Sequence, residues 1–318
     1  MIVTVLHADH RPDGMDAVEQ FAEVRYATVE TLADALPGSD VLLVWDFFSR
    51  ALQDAWPAAD SLRWIHVAAA GVDTLLFDEL VNSDVVVTNS RGVFDRPIAE
   101  FVLASILAFA KDVPASLRLQ NQRQWRHRET EQISGSRAIV VGTGAIGREI
   151  ARLLRAVGVE VSGAGRRARS GDPDFGEVRL SDELAGYIGD ADYLVLVAPL
   201  TEQTEGMVDA SVLAAMKPTA RLVNVGRGEL VVTDALVDAL RKGRIAGAAL
   251  DVFDTEPLPP QSPLWDMESV LISPHMSGDA AGWRERLAGV FVDNAERYRD
   301  GLPLLNVVDK QRGYVPSA

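Results

Sequence analysis

The sequence contains no cysteine. This absence excludes disulfide bonds, thiolate catalysis and cysteine-based metal centres, and we predict no metal site. A cysteine-free chain is compatible with a reducing compartment, which favours a cytoplasmic protein. Lysine is also scarce, so arginine carries nearly all of the positive charge; the only lysines are Lys111, Lys217, Lys242 and Lys310.

Long apolar runs are missing as well. The longest, residues 101–110, is too short to span a bilayer. The first six residues lack the basic flank of a signal peptide, and the chain turns polar at His7, so we expect a cytoplasmic location. The net charge of -15 opposes binding to nucleic acid or to an anionic membrane. We therefore predict neither nucleic acid nor membrane as a partner.

What the chain does contain is a repeated alternation of short apolar segments and helical patterns. Its 318 residues are 47% hydrophobic and 24% charged, which is typical of a soluble globular protein with two domains. Continuous apolar runs between helices indicate buried parallel strands. We predict strands at 2–6, 40–44, 63–67, 85–88, 138–141, 159–163, 193–198, 221–225, 246–250 and 270–272.

Two long helical patterns mark the domain boundaries. Pro97 is expected to open a connecting helix that runs to Val113 and is ended by Pro114. A second helix is predicted over 283–298, returning the chain to the first domain. We assign residues 1–96 plus 283–318 to a smaller, flavodoxin-like α/β substrate-binding domain. Residues 97–282 form the inserted dinucleotide-binding domain, with a doubly wound parallel sheet of the Rossmann type.

A glycine-rich turn follows the predicted strand at 138–141. It reads Gly142-Thr143-Gly144-Ala145-Ile146-Gly147, and a helical pattern follows it. The first glycine permits a tight turn, the second lets backbone approach a pyrophosphate, and the third lets the helix pack on the strand. Because the helix N-terminus attracts anions, this turn predicts a dinucleotide site.

The residues after the next strand indicate which dinucleotide binds. Gly165 stands eighteen positions beyond Gly147, where an acidic residue would hold the ribose hydroxyls of NAD. Arg166, Arg167 and Arg169 follow. Several guanidinium groups close together repel one another unless an anion lies between them, which favours a divalent phosphate. We therefore predict NADP as the preferred cofactor, with NAD as the alternative; a solvated arginine-rich loop is the other interpretation of these arginines.

Three residues with complementary chemistry follow neighbouring strands: Arg227, Glu256 and His275. The carboxyl ends of parallel strands share one edge, where ligands bind. Arg227 lies between two glycines, which allow backbone conformations closed to other residues, and its guanidinium can bind a carboxylate and polarise a ketone. His275 can donate a proton, and Glu256 can orient the imidazole and favour its charged form. Individually they could be a surface arginine, a loop carboxylate and a loop histidine; together they match the reduction of a 2-oxo acid.

The sequence resembles the D-isomer-specific 2-hydroxyacid dehydrogenases, most closely their glyoxylate/hydroxypyruvate reductase branch. The resemblance covers nearly the whole length. Besides the glycine turn, its motifs are Ala69-Ala70-Gly71-Val72-Asp73, Asn89-Ser90-Arg91-Gly92, Pro97-Ile98-Ala99-Glu100, Pro199-Leu200-Thr201 with Thr204, Asn224-Val225-Gly226-Arg227-Gly228, Asp251-Val252-Phe253 with Glu256-Pro257, and Ser273-Pro274-His275.

The resemblance implies roles for individual residues. Arg227, Glu256 and His275 would be catalytic, and the amides of Ala70 and Gly71 would hold the substrate carboxylate with Arg227. The cofactor would contact Gly142, Gly144, Ala145, Ile146, Gly147, Arg166, Arg167, Pro199, Leu200, Thr201, Thr204, Val225 and Asp251, the last through the nicotinamide amide. Trp45 would line the substrate pocket, unless it is simply a core or rim aromatic. The family also implies a homodimer formed through the connecting helix, and the apolar segment 101–110 permits this.

We predict an NADPH-dependent reductase of a small 2-oxo acid such as glyoxylate or hydroxypyruvate, giving the D-hydroxy acid where the product is chiral. A phosphoglycerate-dehydrogenase-like enzyme is an alternative, but those enzymes usually use NAD and often carry a C-terminal regulatory domain, for which we expect no room here. A dinucleotide-sensing corepressor or scaffold on the same fold is the alternative outside enzymes.

Overall fold

The computed structural model describes residues 1–316. The chain divides into two compact units. Unit 1 is Met1–Phe94 together with the chain from Ala280 onward, and unit 2 is Asp95–Asp279. The sequence placed the boundaries at 96/97 and 282/283. That one unit binds substrate and the other binds the dinucleotide stays a prediction.

Unit 1 contains a five-stranded parallel sheet of order β2-β1-β3-β4-β5, the flavodoxin-like order. Its strands are β1 Ile2–Leu6, β2 Glu23–Ala27, β3 Val41–Val44, β4 Trp64–Val67 and β5 Val86–Asn89, and its short helices are α1 Asp16–Glu19, α2 Leu32–Ala35, α3 Ala51–Ala55 and α4 Asp78–Val81. Strand β2 was not predicted from the sequence. This strand is at the edge of the sheet, and only one of its five residues is buried, so it lacks a continuous apolar run.

Unit 2 contains an eight-stranded sheet of order β13-β12-β11-β10-β6-β7-β9-β8, parallel except for β8. Its strands are β6 Arg137–Val141, β7 Glu160–Gly165, β8 Arg169–Asp172, β9 Gly176–Leu180, β10 Tyr193–Leu196, β11 Arg221–Asn224, β12 Gly247–Leu250 and β13 Val270–Ile272; its helices are α5 Asp95–Ala110, α6 Val113–Asn121, α7 Ala145–Ala156, α8 Ala210–Ala215 and α9 Thr233–Arg241. The strand order reverses at β6 and β10, where doubly wound sheets bind ligands. The predicted fold class is confirmed. The polar hairpin β8–β9 was not predicted.

The prediction of one helix from Pro97 to Val113 is wrong at its end. Helix α5 stops at Ala110, and Asp112 takes a left-handed conformation with φ 49°. Pro114 does not end a helix but lies in the first turn of α6. A proline is tolerated there because the first helical N–H groups have no intrahelical acceptor.

Each unit has its own apolar core. In unit 2, residues of the central strands β6, β10, β11 and β12 pack with apolar residues of α8 and α9. In unit 1, the last helix, α10 Trp283–Arg299, buries Phe291 against Trp64 with the two rings stacked at 5.5 Å. Within residues 1–316, no helix has both the length and the apolar character needed to cross a membrane.

Candidate active site

The glycine turn connects β6 to α7, and its last three residues, Ala145, Ile146 and Gly147, form the first turn of the helix. Gly142 has φ +109°, and a Cβ there would come within 2.7 Å of the carbonyl oxygen of Val197. At Gly147 a Cβ would overlap the carbonyl oxygen of Gly142. Only glycine therefore fits these two positions, and the packing brings α7 directly onto its preceding strand.

The middle of this turn has the features that a pyrophosphate needs. Nothing lies within 4 Å of the Cβ position of Gly144, which is the residue before α7. The N–H groups of the first helical turn, those of Ala145, Ile146 and Gly147, have no acceptor within the helix. An open approach beside unpaired amides at the positive end of a helix fits a dinucleotide phosphate.

The end of β7 lies next to this turn. The amide of Gly142 donates to the carbonyl of Ala164 at 3.0 Å, and a Cβ on Gly165 would lie 3.3 Å from the hydroxyl of Thr143. Arg166 and Arg167 follow β7 and are both exposed. They are therefore at the carboxyl end of the strand beside the glycine turn, and no acidic side chain occupies position 165.

Arg169, by contrast, is held by the protein itself. Its Nε donates to Asp172 at 2.8 Å, and Arg148 of α7 makes two bonds of 2.9 Å to the same carboxylate. Arg148 also bonds Asp174 at 2.7 Å, as does Arg152. The anion that neutralises Arg169 is the carboxylate of Asp172, a residue of the protein itself. Arg169 therefore does not need a bound phosphate.

This ion-pair cluster joins the hairpin β8–β9 to α7. The Asp172 side chain is only 2% exposed. Burial acts to raise the pKa of Asp172, but hydrogen bonds from Arg148 and Arg169 and from two backbone amides outweigh burial and lower that pKa well below its usual range. The carboxylate is therefore ionised at neutral pH and fixes the hairpin that follows Arg166 and Arg167.

The segment after β10 forms a compact turn closed by one hydroxyl. Thr204 Oγ1 donates to the carbonyl of Pro199 at 2.7 Å and accepts the amide of Thr201 at 2.8 Å. Leu200 packs against the apolar core of unit 2, and Val225, directly after β11, is 7% exposed. The turn brings Pro199, Leu200 and Thr201 to the carboxyl edge of the sheet, beside the glycine turn after β6.

Arg227 is presented by a tight turn after β11. Asn224, 1% exposed, accepts the amide of Gly226 and donates to the carbonyl of Arg227 at 2.8 Å. A Cβ on Gly228 would overlap the backbone of Phe253, and neither flanking glycine has a positive φ. The expectation that these glycines provide left-handed backbone angles is therefore wrong: at Gly228, close packing of backbone on backbone requires the glycine. Arg227 itself is half-buried.

Glu256 and His275 form a hydrogen-bonded pair. Glu256 Oε2 lies 2.7 Å from His275 Nδ1, and its Oε1 accepts the amide of Phe253 at 2.9 Å. Burial acts to raise the pKa of Glu256, but the hydrogen bonds from His275 and Phe253 and the charges of His275 and Arg227 lower it below the usual range. An ionised carboxylate only accepts, so Nδ1 of His275 carries a hydrogen.

Asp251 fixes the backbone on which His275 sits. Its two carboxylate oxygens accept the amides of Met276 at 2.9 Å and Ser277 at 3.0 Å, and its carbonyl accepts the amide of His275. Asp251 is 1% exposed. His275 has φ 52°, which is uncommon for a residue other than glycine and costs about 1 kcal/mol or more. Asp251 therefore acts on the histidine loop within the protein, and its predicted contact with nicotinamide stays a prediction.

The predicted substrate residues of unit 1 follow its sheet strands. Ala70 and Gly71, both partly exposed, come after β4. Trp45 comes directly after β3, is 9% exposed and lines a surface cavity of about 500 Å³ with His7, Arg11 and Arg284. The indole is thus mostly buried but borders an open, polar cavity.

Comparison with known proteins identifies the family. A family model described as D-isomer specific 2-hydroxyacid dehydrogenase, NAD binding domain, matches residues 103–277. A glyoxylate reductase of Korarchaeum cryptofilum is 32% identical over 267 residues, 81% of this chain and 79% of that protein. A D-3-phosphoglycerate dehydrogenase of Synechocystis is 30% identical over 313 residues, 93% of this chain but 54% of that protein.

A solved structure of a relative contains a bound nicotinamide dinucleotide. An NADPH-dependent glyoxylate/hydroxypyruvate reductase from Sinorhizobium meliloti, in complex with NADP and sulfate, matches with a TM-score of 0.83 and 27% identity over 99% of this chain and 100% of that chain. The chain belongs to the D-isomer-specific 2-hydroxyacid dehydrogenase family. This D-2-hydroxyacid dehydrogenase is an NAD(P)-dependent oxidoreductase of small 2-hydroxy and 2-oxo acids, as the sequence predicted.

Two supporting groups of the dehydrogenase were missed from sequence. Asn224 was noted only as part of a motif. An asparagine at the end of an apolar strand is expected to be buried, and a buried side-chain amide must form hydrogen bonds, so its structural role could have been predicted. The pairing of Arg148 with Asp172 and Asp174 was not anticipated, because these residues are more than twenty positions apart and only the unpredicted hairpin brings them together.

Proposed function

We propose that this dehydrogenase is an NADPH-dependent reductase of small 2-oxo acids of the glyoxylate and hydroxypyruvate type, giving the D-hydroxy acid where the product is chiral. The observation that carries the proposal is the position of Arg227, Glu256 and His275. They follow the three adjacent strands β11, β12 and β13, and the imidazole is paired to the carboxylate at 2.7 Å.

The chemistry of each side chain suits this reaction. When bound, the reduced nicotinamide supplies the hydride. The guanidinium of Arg227 binds the carboxylate of the acid and polarises its ketone. His275 holds a proton at Nε2 and gives it to the carbonyl oxygen, while Glu256 keeps Nδ1 protonated and stabilises the imidazolium. We propose that the amides of Ala70 and Gly71 also bind the carboxylate, and that Trp45 contacts the substrate.

For the dinucleotide, we propose that Ala145, Ile146 and Gly147 bind the pyrophosphate through their amides. Thr201, Thr204 and Asp251 contact the rest of the cofactor, together with Gly142, Gly144, Pro199, Leu200 and Val225. A preference for NADPH is supported by the glycine at 165 and by the two exposed arginines after it. The relative from Sinorhizobium meliloti also binds NADP.

Replacing Arg166 and Arg167 together with alanine tests this preference. Each charge-assisted contact to a phosphate contributes about 1.5 to 3 kcal/mol, and solvent exposure lowers this, so the ratio of kcat/KM for NADPH to that for NADH should fall at least roughly tenfold. The matched control is Arg241→Ala with Arg244→Ala; both arginines are exposed, Arg241 is the last residue of α9, and Arg244 precedes β12, so both lie on the amino-terminal side of that strand. A native preference for NADH, or a ratio that the Arg166 and Arg167 changes leave unaltered, would contradict the proposal.

The substrate class is tested by a spectrophotometric screen of 2-oxo acids with both reduced cofactors. We expect turnover of glyoxylate and hydroxypyruvate with NADPH. Preferred turnover of 3-phosphohydroxypyruvate with NADH would indicate a phosphoglycerate-dehydrogenase-like enzyme instead. No turnover of any acid, with binding of a partner protein that responds to the dinucleotide, would indicate a corepressor or scaffold.

We propose further that two chains associate through α5, α6 and the segment that follows. Within the described residues, α6 buries none of its side chains, and three apolar side chains in this region are strongly exposed: Val113, Leu117 and Trp125. Trp125 is 102% exposed. A light-scattering mass of two chains in solution would support the dimer, and a mass of one chain would contradict it.

A further inference from the structure

The loop that carries Ala70 and Gly71 is held by the end of the neighbouring strand. The amide of Ser90 donates to the carbonyl of Ala69 at 2.9 Å. The side-chain amide of Asn89 donates to the carbonyl of Ala70 at 2.6 Å. Two successive carbonyls of the loop are therefore held by two successive residues at the end of β5.

These contacts determine where the loop's N–H groups point. In a trans peptide the C=O and the following N–H point in opposite directions. Holding the carbonyl of Ala69 turns the N–H of Ala70 away from β5, and holding the carbonyl of Ala70 does the same for Gly71. In a regular strand successive N–H groups would point to opposite sides. Here both point to one side, as in anion-binding backbone nests, and within residues 1–316 neither has a protein acceptor.

We propose that Asn89 is a positioning residue for the substrate carboxylate, acting through the peptide between Ala70 and Gly71. The inference rests on the proposed function, in which these two amides bind that carboxylate. The orientation of the Asn89 side chain is determined by its surroundings, because its Oδ1 accepts the amide of Arg91 at 3.2 Å and its Nδ2 donates to Ala70. Asn89 itself is 3% exposed.

A buried polar chain beneath the loop holds the two strand ends in register. Burial lowers the pKa of His66 to about 3, so this imidazole is neutral and has one donor and one acceptor nitrogen. Ser90 Oγ donates to the carbonyl of Val67 and lies 3.2 Å from His66 Nε2, which is therefore the donor nitrogen. His66 Nδ1 then accepts from the hydroxyl of Thr88 at 2.8 Å, and that hydroxyl accepts from the indole of Trp64.

In this series of hydrogen bonds, the donors of Trp64, His66, Thr88 and Ser90 named above each have an acceptor. Any shift of β4 against β5 would break one of these bonds and leave a buried polar group unpaired. The network therefore keeps the register of the two strands rigid. The strand ends that hold the loop are therefore fixed, and the Asn89 side chain connects them to the Ala70 carbonyl. Its effect is on binding geometry, not on proton transfer.

Asn89→Asp tests the proposal. The change keeps the size and the acceptor for Arg91 but replaces the donor facing Ala70 with a carboxylate oxygen. We expect KM for glyoxylate to rise at least roughly tenfold, with kcat within a few-fold and KM for NADPH unchanged, because the amides bind ground state and transition state alike. Binding of oxamate, a 2-oxo acid analogue, should weaken by a similar factor in calorimetry. Asn89→Ala provides the same readouts should the carboxylate prevent folding.

The matched control is Asn294→Asp on α10. Asn294 is fully buried in the same unit and makes the same pair of bonds to backbone, donating to the carbonyl of Leu305 and accepting its amide. This variant should lose stability with KM unchanged. Equal effects of both variants on KM, or an Asn89 variant with KM within twofold of wild type, would overturn the proposal. Wild-type protein that reduces no 2-oxo acid would refute the proposed function, and the oxamate titration would then still decide the role of Asn89.

Discussion

Replacing Glu256 with glutamine tests the proposed proton donor most directly. In the native site the carboxylate accepts two hydrogen bonds, from Nδ1 of His275 at 2.7 Å and from the amide of Phe253 at 2.9 Å. Glutamine has nearly the same shape but only one acceptor oxygen. It can accept from one of the two donors and must turn its own NH₂ toward the other. Glu256→Gln therefore removes the charge and breaks one contact without leaving a cavity.

The size of the effect follows from the geometry. A hydrogen bond between charged partners contributes about 1.5 to 3 kcal/mol. Because the side chains of His275 and Glu256 are 33% and 32% exposed, solvent screens the pair, and we take the lower half of that range. About 1.5 to 2 kcal/mol corresponds to a roughly 10- to 30-fold loss of kcat for glyoxylate reduction.

The acid side of the pH profile also depends on the charge of Glu256. Since the pKa of Glu256 lies below its ordinary value of 4.5, the wild-type carboxylate stays charged as pH falls to that value and is protonated only below it. The advantage of wild type over Glu256→Gln should therefore persist through mildly acidic pH and shrink only below about 4.5. The assay is NADPH oxidation with glyoxylate, and Glu183→Gln, an exposed carboxylate in the same unit, controls for net charge. Turnover of Glu256→Gln within twofold of wild type at every pH would refute the assigned role.

Two further outcomes follow from the same structure. His275→Gln should lower kcat by roughly a hundredfold to ten-thousandfold if the imidazole is the general acid, as single-turnover kinetics can measure, and near-normal turnover would remove it from the mechanism. Asp172→Asn should destabilise the protein by about 3 kcal/mol at neutral pH, because Arg148 and Arg169 lose a buried carboxylate. Because the pKa of Asp172 is lowered on folding, the carboxylate stabilises the native protein fully at pH values above its ordinary pKa of 3.8. This stabilisation is lost as the pH falls further and the carboxylate is protonated. Thermal unfolding of both proteins should thus differ most at neutral pH and least in strong acid; equal midpoints at neutral pH would show that the cluster is not stabilising.

Much of the framework could be predicted because its signals are local. The apolar runs of the central strands and the glycines at 142, 144 and 147 impose the same structure in any doubly wound sheet, so the fold class and the family were correct. Strands β2 and β8 lie at sheet edges and β9 lies next to β8, and each of the three buries only one residue, so none has a continuous apolar run that would predict it. Pro114 was misread because a proline stops one helix and starts another equally well.

The sequence alone determined which chemical groups the chain has and in what order the strands deliver them: Arg227, Glu256 and His275 each follow a predicted strand. Only the tertiary structure decided which groups pair. It formed the hydrogen bonds between Glu256 and His275, between Arg169 and Asp172, and between Asn89 and the carbonyl of Ala70. The physical reason is that strand and turn signals depend on neighbours in the chain. Hydrogen bonds and ion pairs depend on distances of about 3 Å between residues far apart in sequence, and those distances exist only once the sheets have formed.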